Sequence, residues 1–446
     1  MTAATQVRER LVDALCAAGR VRTPAVEEAF RAVPRHLFLP DIAVCEAYAD
    51  EAVAVQHVNG VATSSASQPS MVAIMLEQLD VRPGHRVLEI GAGTGYNAAL
   101  LAHLAGPTGA VTSVDIDPEL VTTAAAHLAA AGISGVELHC ADGALGHPPG
   151  APYDRIVLTV GSADIRPDWV VQLAPGGRLL LPLSLRGSQV SVALDLDPDR
   201  VLRSRSVRSC AFIRLRGLAA GPETVVPLRS LGLVLQWAAD APAASPAGPG
   251  VVGVGEVEPA ASALSPAGLV SSVGSVSSAG LVEPQAVAEP AVVDAALAEP
   301  GPVTSVAVAI GAADLWDGFG LFLALTTPGT CRLLLTEPEA DGAGFAPMAP
   351  GIGTLGLAGP GGLAVVTAGS RHRVGVRAFG PGGPAQVEQL LAALDRWVAA
   401  GRPDAAGLLL TVRPRSDASA PRTEGGANLV TEHCRITVGW AGGAHP

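Results

Sequence analysis

Val87-Leu88-Glu89-Ile90-Gly91-Ala92-Gly93-Thr94-Gly95 decides the fold of this chain. An apolar run leads into three glycines at alternate positions, and the spacing predicts a helix over 96–105 directly after them. That order lets main chain approach a ligand closely at the mouth of a parallel sheet. Residues 111–115, Val-Thr-Ser-Val-Asp, read as the next strand, and Asp115 ends it where a carboxylate can grip ribose hydroxyls. The glycine pattern is Gly-x-Gly-x-Gly with an acid, Glu89, two residues ahead of it. Dinucleotide binders carry Gly-x-Gly-x-x-Gly, with the third glycine one residue later. A nucleoside site without a pyrophosphate is therefore expected. It points to S-adenosyl-L-methionine and weighs against a nucleotide-dependent oxidoreductase. The plainer alternative is a set of glycines that only turns strand into helix.

Outward from this loop, strand and helix patterns alternate. Strands are expected at 86–90, 110–115, 136–140, 154–160, 177–182 and 189–195, with helices near 96–105, 118–131 and 165–173. Such alternation implies a parallel, doubly wound sheet, here closed by one more strand over 210–215. Helical periodicity also runs through residues 5–33, where Val7, Leu11 and Leu15 precede Val26, Phe30 and Val33; Pro34 and Pro40 stop it. Another helix is expected over 70–79. Residues 239–302 turn into Ala/Pro/Ser/Gly/Val low complexity, which buries too little to offset its ordering entropy and reads as a disordered insertion. Beyond it come strands at 304–310, 319–326, 331–336, 363–367 and 373–378, a helix over 385–400, and strands at 407–412 and 433–440. The expected class is α/β: a Rossmann-like class I methyltransferase sheet with N-terminal helices, plus a C-terminal α+β domain. The units are 1–80, a helical segment on the substrate side; 81–225, the cofactor domain; 239–302, the insertion; and 303–446, a domain suited to peptide docking.

Composition narrows the partners. A chain of 446 residues exceeds one ordinary core. A net charge of −12 and a pI near 5.3, with no Lys/Arg-rich run, argue against nucleic acid. Cysteines 16, 45, 140, 210, 331 and 434 form no Cys-x-x-Cys pair, so neither a metal site nor a disulfide framework is expected, and a reducing cytoplasm fits. Arg8, Glu9, Arg10 and Asp13 make the N-terminus an amphipathic helix rather than a signal peptide. Mean hydropathy is +0.38, but Ala, Val and Gly supply it. The longest charge-free stretch, between Glu258 and Glu283, is broken by Pro266 and studded with Ser and Gly, so no membrane span is expected.

Three acids frame the expected chemistry. Glu89 either holds the amino group of a methionine moiety or orients the loop; its plainer role is a cap on the next helix. Asp115 accepts two ribose hydroxyls. Cys140-Ala141-Asp142-Gly143 ends the third strand, where Asp142 can accept from an adenine amine, the alternative being a turn aspartate before Gly143. The acceptor is argued from what is missing. The sequence has no Asn-Pro-Pro-Tyr signature for base amines, no paired metal carboxylates and no histidine set for proton abstraction. A carboxylate acceptor needs none of these, because it is ionised at neutral pH and requires only alignment and exclusion of water. Charge is neutralised as a carboxylate meets a sulfonium, so a dry site favours the reaction.

At this point the chain resembles a family. Ser65-Ala66-Ser67-Gln68-Pro69-Ser70-Met71-Val72, ahead of the strand at 87–90, is similar to the protein-L-isoaspartate O-methyltransferase signature Thr-Ile-Ser-Gln/Ala-Pro-x-Met. Pro34-Arg35-His36-Leu37-Phe38-Leu39-Pro40 and Ala47-Tyr48-Ala49-Asp50 match its N-terminal elements. Asp142-Gly143-Ala144-Leu145-Gly146, Pro152-Tyr153-Asp154-Arg155-Ile156 and the Gln172-Leu173 to Gly176-Gly177 segment match later ones. The likeness covers 5–215. It implies that Ser67 contacts the acceptor carboxylate, with Ser65 and Gln68 beside it; alone, Ser67 reads as an N-cap for the helix from Ser70. Ser65 replaces the usual threonine, Ser70 the bulky residue, and Gln56-His57-Val58-Asn59-Gly60 the Gly-Tyr-Gly-Gln lead-in. The chain also runs more than two hundred residues past the usual end near 220. That length, with Val160-Gly161-Ser162, Cys210-Ala211-Phe212 and a strand at Arg435-Ile436-Thr437-Val438-Gly439-Trp440, resembles the actinobacterial lanthipeptide-associated methyltransferases of the FxLD-system type. The resemblance implies methylation of an aspartyl or isoaspartyl carboxyl in a ribosomal peptide, followed by succinimide closure, with Val160 and Gly161 at the substrate. General isoaspartyl repair and a non-catalytic peptide-binding protein are the competing expectations.

Overall fold

The computed structural model describes residues 2–58, 61–221, 225–228, 233–237, 290–311, 314–335, 353–368, 373–417 and 427–441. Two amphipathic helices come first, α1 (Ala3–Ala17) and α2 (Pro24–Ala32). They bury Leu11, Val12 and Leu15, and Val26, Ala29 and Phe30, respectively. A single helical turn α3 (Val44–Ala47) leads to an antiparallel hairpin, β1 (Val53–Val58) and β2 (Val61–Ala66). Periodicity gives no hint of this hairpin, because β1 is exposed at four of its six positions and lacks an apolar alternation. Helix α4 (Pro69–Leu79) follows with proline at its first position, where the missing N–H costs nothing.

The alternating region then runs β3 (Arg86–Ile90), α5 (Tyr96–Ala105), β4 (Ala110–Asp115), α6 (Pro118–Ala130), β5 (Val136–Cys140), β6 (Tyr153–Leu158), α7 (Pro167–Val171), β7 (Leu173–Leu185), β8 (Ser188–Leu196) and β9 (Leu202–Ser209). Strands β5, β4, β3, β6 and β7 lie side by side and parallel in that order. Helices cover them, so Val87, Leu88 and Ile90 of β3 are buried on both faces. The sheet continues antiparallel through β8 and β9. The last strand of this run is therefore 202–209, one segment earlier than the expected 210–215. It does not close the sheet, since the later strand Leu408–Pro414 pairs on its far side. Residues 210–216 contribute only an isolated bridge between Gly161 and Arg214.

The chain next enters a further, wholly antiparallel sheet, with seven strands among the described residues. It contains β10 (Val225–Leu228), β11 (Leu233–Trp237), β12 (Pro300–Ala309), β13 (Thr330–Leu335), β14 (Thr354–Gly359), β15 (Gly362–Ala368) and β16 (Arg373–Phe379). Helices α8 (Pro290–Leu297), α9 (Gly320–Thr326) and α10 (Gly383–Ala399) accompany it. The stretch 319–326, expected as a strand, is mainly α9: Leu321 to Leu325 are all buried, and a short run of that kind has no period to separate strand from helix. The expected insertion at 239–302 lies outside the described residues up to 289; its last part carries α8 and the start of β12.

The chain then returns. Strand β17 (Leu408–Pro414) pairs with β9, and β18 (Ala427–Val430) and β19 (Cys434–Trp440) complete a ten-stranded mixed sheet. One continuous apolar cluster joins Leu183 and Leu194 of this sheet to Phe322, Leu357, Trp397 and Trp440. Among the described residues no helix is long and apolar enough to cross a membrane.

Candidate active site

A cleft opens at the C-terminal ends of β3, β4 and β6, with about 1100 Å³ of space that includes the open solvent at its mouth. The glycine loop forms its floor. Gly91, Gly93 and Gly95 have φ of +102°, +52° and +84°, a region that side chains with a Cβ rarely adopt. Space adds to this at Gly91, where a Cβ would lie 2.6 Å from Thr159 Oγ1. The Gly91 N–H donates to the Val114 carbonyl at 2.8 Å, locking the loop onto β4.

Asp115 ends β4 beside the loop and is nearly buried. Its Oδ2 accepts from the Gly93 N–H and its Oδ1 from the Asp117 N–H, each at 3.1 Å. A carboxylate oxygen accepts about two hydrogen bonds, so each retains one acceptor site, the arrangement a vicinal diol needs. Asp117 in turn caps α6 and accepts from Gln56 Nε2 at 3.0 Å, which ties the β1–β2 hairpin to this side of the cleft.

Glu89 lies behind the loop, wholly buried and away from the cleft lining. Its Oε1 accepts from Asn97 Nδ2 at 2.8 Å and its Oε2 from the Ser113 hydroxyl at 2.5 Å. Burial pushes its pKa up to about 7, against the opposing pull of these two hydrogen bonds; the nearby Asp115 charge adds to the rise. Asn97 itself lines the cleft. Asp142 also stands outside the lining, whereas Gly143 is part of it. Asp142 Oδ1 accepts from the Ala144 N–H at 2.9 Å and Oδ2 from the Leu218 N–H at 2.8 Å. This side chain joins the end of β5 to the 217–219 turn.

β2 and the residues after it also line the cleft, with Ser64 and Ser65 close to Gly93. Ser65 and Ser67 both line the cleft. The Ser67 hydroxyl makes no hydrogen bond to the described residues, and it does not cap α4; Asp50 Oδ1 accepts from the Ser70 N–H at 2.8 Å instead. Gln68 is exposed and stands outside the lining, its Nε2 donating to the Asp50 carbonyl at 2.8 Å. Val160 lines the cleft and Gly161 does not. Gly161 works through its backbone: its N–H donates to Ile213 O at 2.7 Å and its carbonyl accepts from the Leu215 N–H at 2.8 Å. That pairing holds the 212–216 segment as a third wall.

The structure adds residues that the sequence reading did not single out for the site. Thr159 donates from Oγ1 to the Gly91 carbonyl at 2.5 Å. Tyr96 and Arg35 also line the cleft, Arg35 with its guanidinium stacked 5.0 Å over the Tyr96 ring. Arg35 stands in the quoted Pro34–Pro40 match, but nothing local marks it as buried. Among the described residues no group of three or more His, Cys, Asp or Glu is placed to hold a metal ion.

Comparison with known proteins adds three findings. A family profile described as protein-L-isoaspartate(D-aspartate) O-methyltransferase matches residues 6–220. The protein-L-isoaspartate O-methyltransferase of Methanopyrus kandleri is 41% identical over 213 residues, covering 92% of that protein and 48% of this chain. A Rhodopseudomonas palustris protein, protein-L-isoaspartate O-methyltransferase 1, is 44% identical over 211 residues, 83% of its length and 47% of this one. Among solved structures, one titled protein-L-isoaspartate O-methyltransferase aligns with 91% of this chain and 96% of its own, at 21% identity and a TM-score of 0.46.

Proposed function

The chain belongs to the protein-L-isoaspartate O-methyltransferase family of S-adenosyl-L-methionine-dependent enzymes, and we propose that its cleft methylates an aspartyl or isoaspartyl carboxylate of a peptide. One observation carries the reading. Asp115, with one acceptor site left on each oxygen, and Ser67, whose hydroxyl has no partner among the described residues, line the same cleft. In this reading Asp115 takes the ribose hydroxyls while the cofactor approaches main chain at Gly91, Gly93 and Gly143; Gly95 stands outside the lining, where a Cβ would meet Ala124 of α6. Glu89 holds the loop through Asn97, and Asp142 holds the 217–219 turn. Ser67, with Ser65, Gln68 and Val160 around it, aims the acceptor, and Gly161 supports the third wall.

The step itself is simple. One carboxylate oxygen attacks the sulfonium methyl, the S–CH3 bond breaks, and a methyl ester and S-adenosylhomocysteine result. No proton has to move, so alignment and dryness supply the catalysis. The backbone nitrogen of the neighbouring residue then attacks the ester carbonyl, methanol leaves, and a succinimide closes. Closure is intramolecular and gains from high effective molarity.

For the substrate, we favour a dedicated ribosomal peptide of the lanthipeptide type. The support is the resemblance at 160–162, 210–212 and 435–440, together with the residues beyond the family-profile match at 6–220. General isoaspartyl repair is the second reading, favoured by about 40% identity across nearly the whole Methanopyrus protein. Mass spectrometry with cofactor and two substrates separates them. A CH2 gain, or loss of one water after ring closure, on a cyclised precursor alone supports peptide maturation. Methylation of a generic isoaspartyl peptide supports repair, and silence on both with cofactor bound overturns the acceptor reading.

A further inference from the structure

Arg35 opens a one-turn 3-10 helix and is 1% exposed. Its Nε donates to the Ala47 carbonyl at 2.8 Å and its Nη2 to the Ser67 carbonyl at 3.0 Å. Its Nη1 is buried and has no hydrogen-bond partner among the described residues. No carboxylate forms an ion pair with it there either. Asp50 is the acid whose field reaches it, and one oxygen of Asp50 is already occupied by the Ser70 N–H.

A buried guanidinium in this condition is expensive. Backbone carbonyls and an aromatic face satisfy part of it, yet Nη1 lacks a partner and no carboxylate is in ion-pair contact with the charge among the described residues. Buried polar groups are seldom left so, and an exception calls for an explanation. The surroundings offer one, because Arg35 lines the cleft and is tethered to the Ser67 carbonyl. The other two arginines of the lining are engaged. Arg214 Nη2 donates to the Gly221 carbonyl at 2.9 Å, and Arg216 Nη2 lies 3.7 Å from Asp117. Among the described residues Asp115 is the one acid of the lining.

We infer that Arg35 is a specificity-determining residue of this cleft, a fixed cation that binds the carboxylate of a ligand beside Ser67. The inference rests on the reading of the cleft as a carboxyl methyltransferase site. Two carboxylates enter such a site, that of the acceptor and that of the cofactor's methionine moiety; the tether to Ser67 favours the acceptor. Held through one oxygen, an acceptor carboxylate keeps the other free to attack the methyl group. A neutral amide in its place gains nothing from the buried charge.

The test uses the full chain with Arg35→Gln and Arg35→Lys, each first checked for a cooperative thermal transition. For each protein, KM and kcat are measured with an isoaspartyl peptide, and Ki with the same peptide as its α-carboxamide. Kd is measured for S-adenosylhomocysteine and for methylthioadenosine, which lacks the amino-acid carboxylate. Arg35→Gln is expected to raise KM for the carboxylate peptide roughly tenfold or more, with Ki of the carboxamide nearly unchanged and partial recovery in Arg35→Lys. A loss of roughly that size on S-adenosylhomocysteine but not methylthioadenosine assigns Arg35 to the cofactor carboxylate instead. Equal losses on charged and neutral ligands, or no losses, overturn the inference. If Arg35→Gln does not fold, Arg35→Lys carries the same comparison, with a smaller shift in the same sense. Failure of the wild-type protein to methylate either this peptide or a precursor peptide overturns the underlying reading separately, since the cofactor arm still reports on Arg35. If only the precursor is methylated, KM and Ki are measured with it and its carboxamide.

Discussion

Replacing Asp115 with asparagine changes one oxygen and removes one charge, and the structure sets the size of the effect. Both oxygens now accept a backbone N–H at 3.1 Å, from Gly93 and from Asp117. In Asp115→Asn the amide NH2 must face one of these donors, so one backbone N–H loses its partner. The remaining oxygen offers the cofactor a neutral acceptor where a charged pair of acceptors stood. Hydrogen bonds to charged groups contribute about 1.5–3 kcal/mol each and neutral ones about 1 kcal/mol. Losing one and weakening the other costs about 2–4 kcal/mol, or roughly thirtyfold to several-hundredfold in Kd. Titration calorimetry with S-adenosylhomocysteine measures the change directly. A thermal melt of the ligand-free variant should drop only by what an orphaned Gly93 or Asp117 N–H costs, about 1–2 kcal/mol. A Kd within roughly twofold of the wild type, in a folded variant, refutes the assignment of Asp115 to the cofactor.

Ser67→Ala should lower kcat/KM for the peptide while leaving cofactor affinity and stability within about 0.5 kcal/mol, because Asp50 rather than Ser67 serves the first turn of α4; a large fall in the melting temperature contradicts this. Gly91→Ala should destabilise by about 1–3 kcal/mol in denaturant titration, given a φ of +102° and a Cβ placed 2.6 Å from Thr159 Oγ1, and an unchanged midpoint contradicts the local geometry. Glu89 should make stability fall with pH. Its pKa rises from 4.5 unfolded to about 7 folded, so its contribution is intact below 4.5, declines through the window between the two values, and is lost above about 7. The loss is on the order of 3 kcal/mol, and Glu89→Gln should flatten that limb of the pH–stability curve. Asp164→Ala should loosen the C-terminal hairpin. Asp164 accepts from the Thr431 hydroxyl at 2.5 Å and the His433 N–H at 2.8 Å, so a loss of about 1–3 kcal/mol by chemical denaturation is expected.

Parts of this structure are legible in the sequence because their signals are local. The glycine loop, the apolar β3 and the carboxylate ending β4 declare themselves through conformational need and burial on both sheet faces. What escapes is set by distant contacts. Strand β9 reads Leu-Arg-Ser-Arg-Ser-Val-Arg-Ser, too polar for a core strand, and its place depends on β8 and on β17, some two hundred residues onward. The pairing of β17 with β9 carries no local mark at all. Helix α9 buries every residue from Gly320 to Leu325, which erases the helical period. In the site, residue type indicates that Glu89, Asp115 and Asp142 are acidic, but only the fold shows which acceptor sites remain. The burial of Arg35 follows from the positions of the Ala47 and Ser67 carbonyls, twelve and thirty-two residues away in the chain.

The most direct test of carboxyl methylation is transfer of an isotopically labelled methyl group from S-adenosyl-L-methionine to an isoaspartyl peptide or a precursor peptide. The label should enter the peptide with the wild-type chain, fall sharply with Ser67→Ala, and leave as methanol under mild alkali, as an ester must. Label that survives alkali, or no transfer to either peptide while cofactor is demonstrably bound, contradicts a carboxylate acceptor in this cleft.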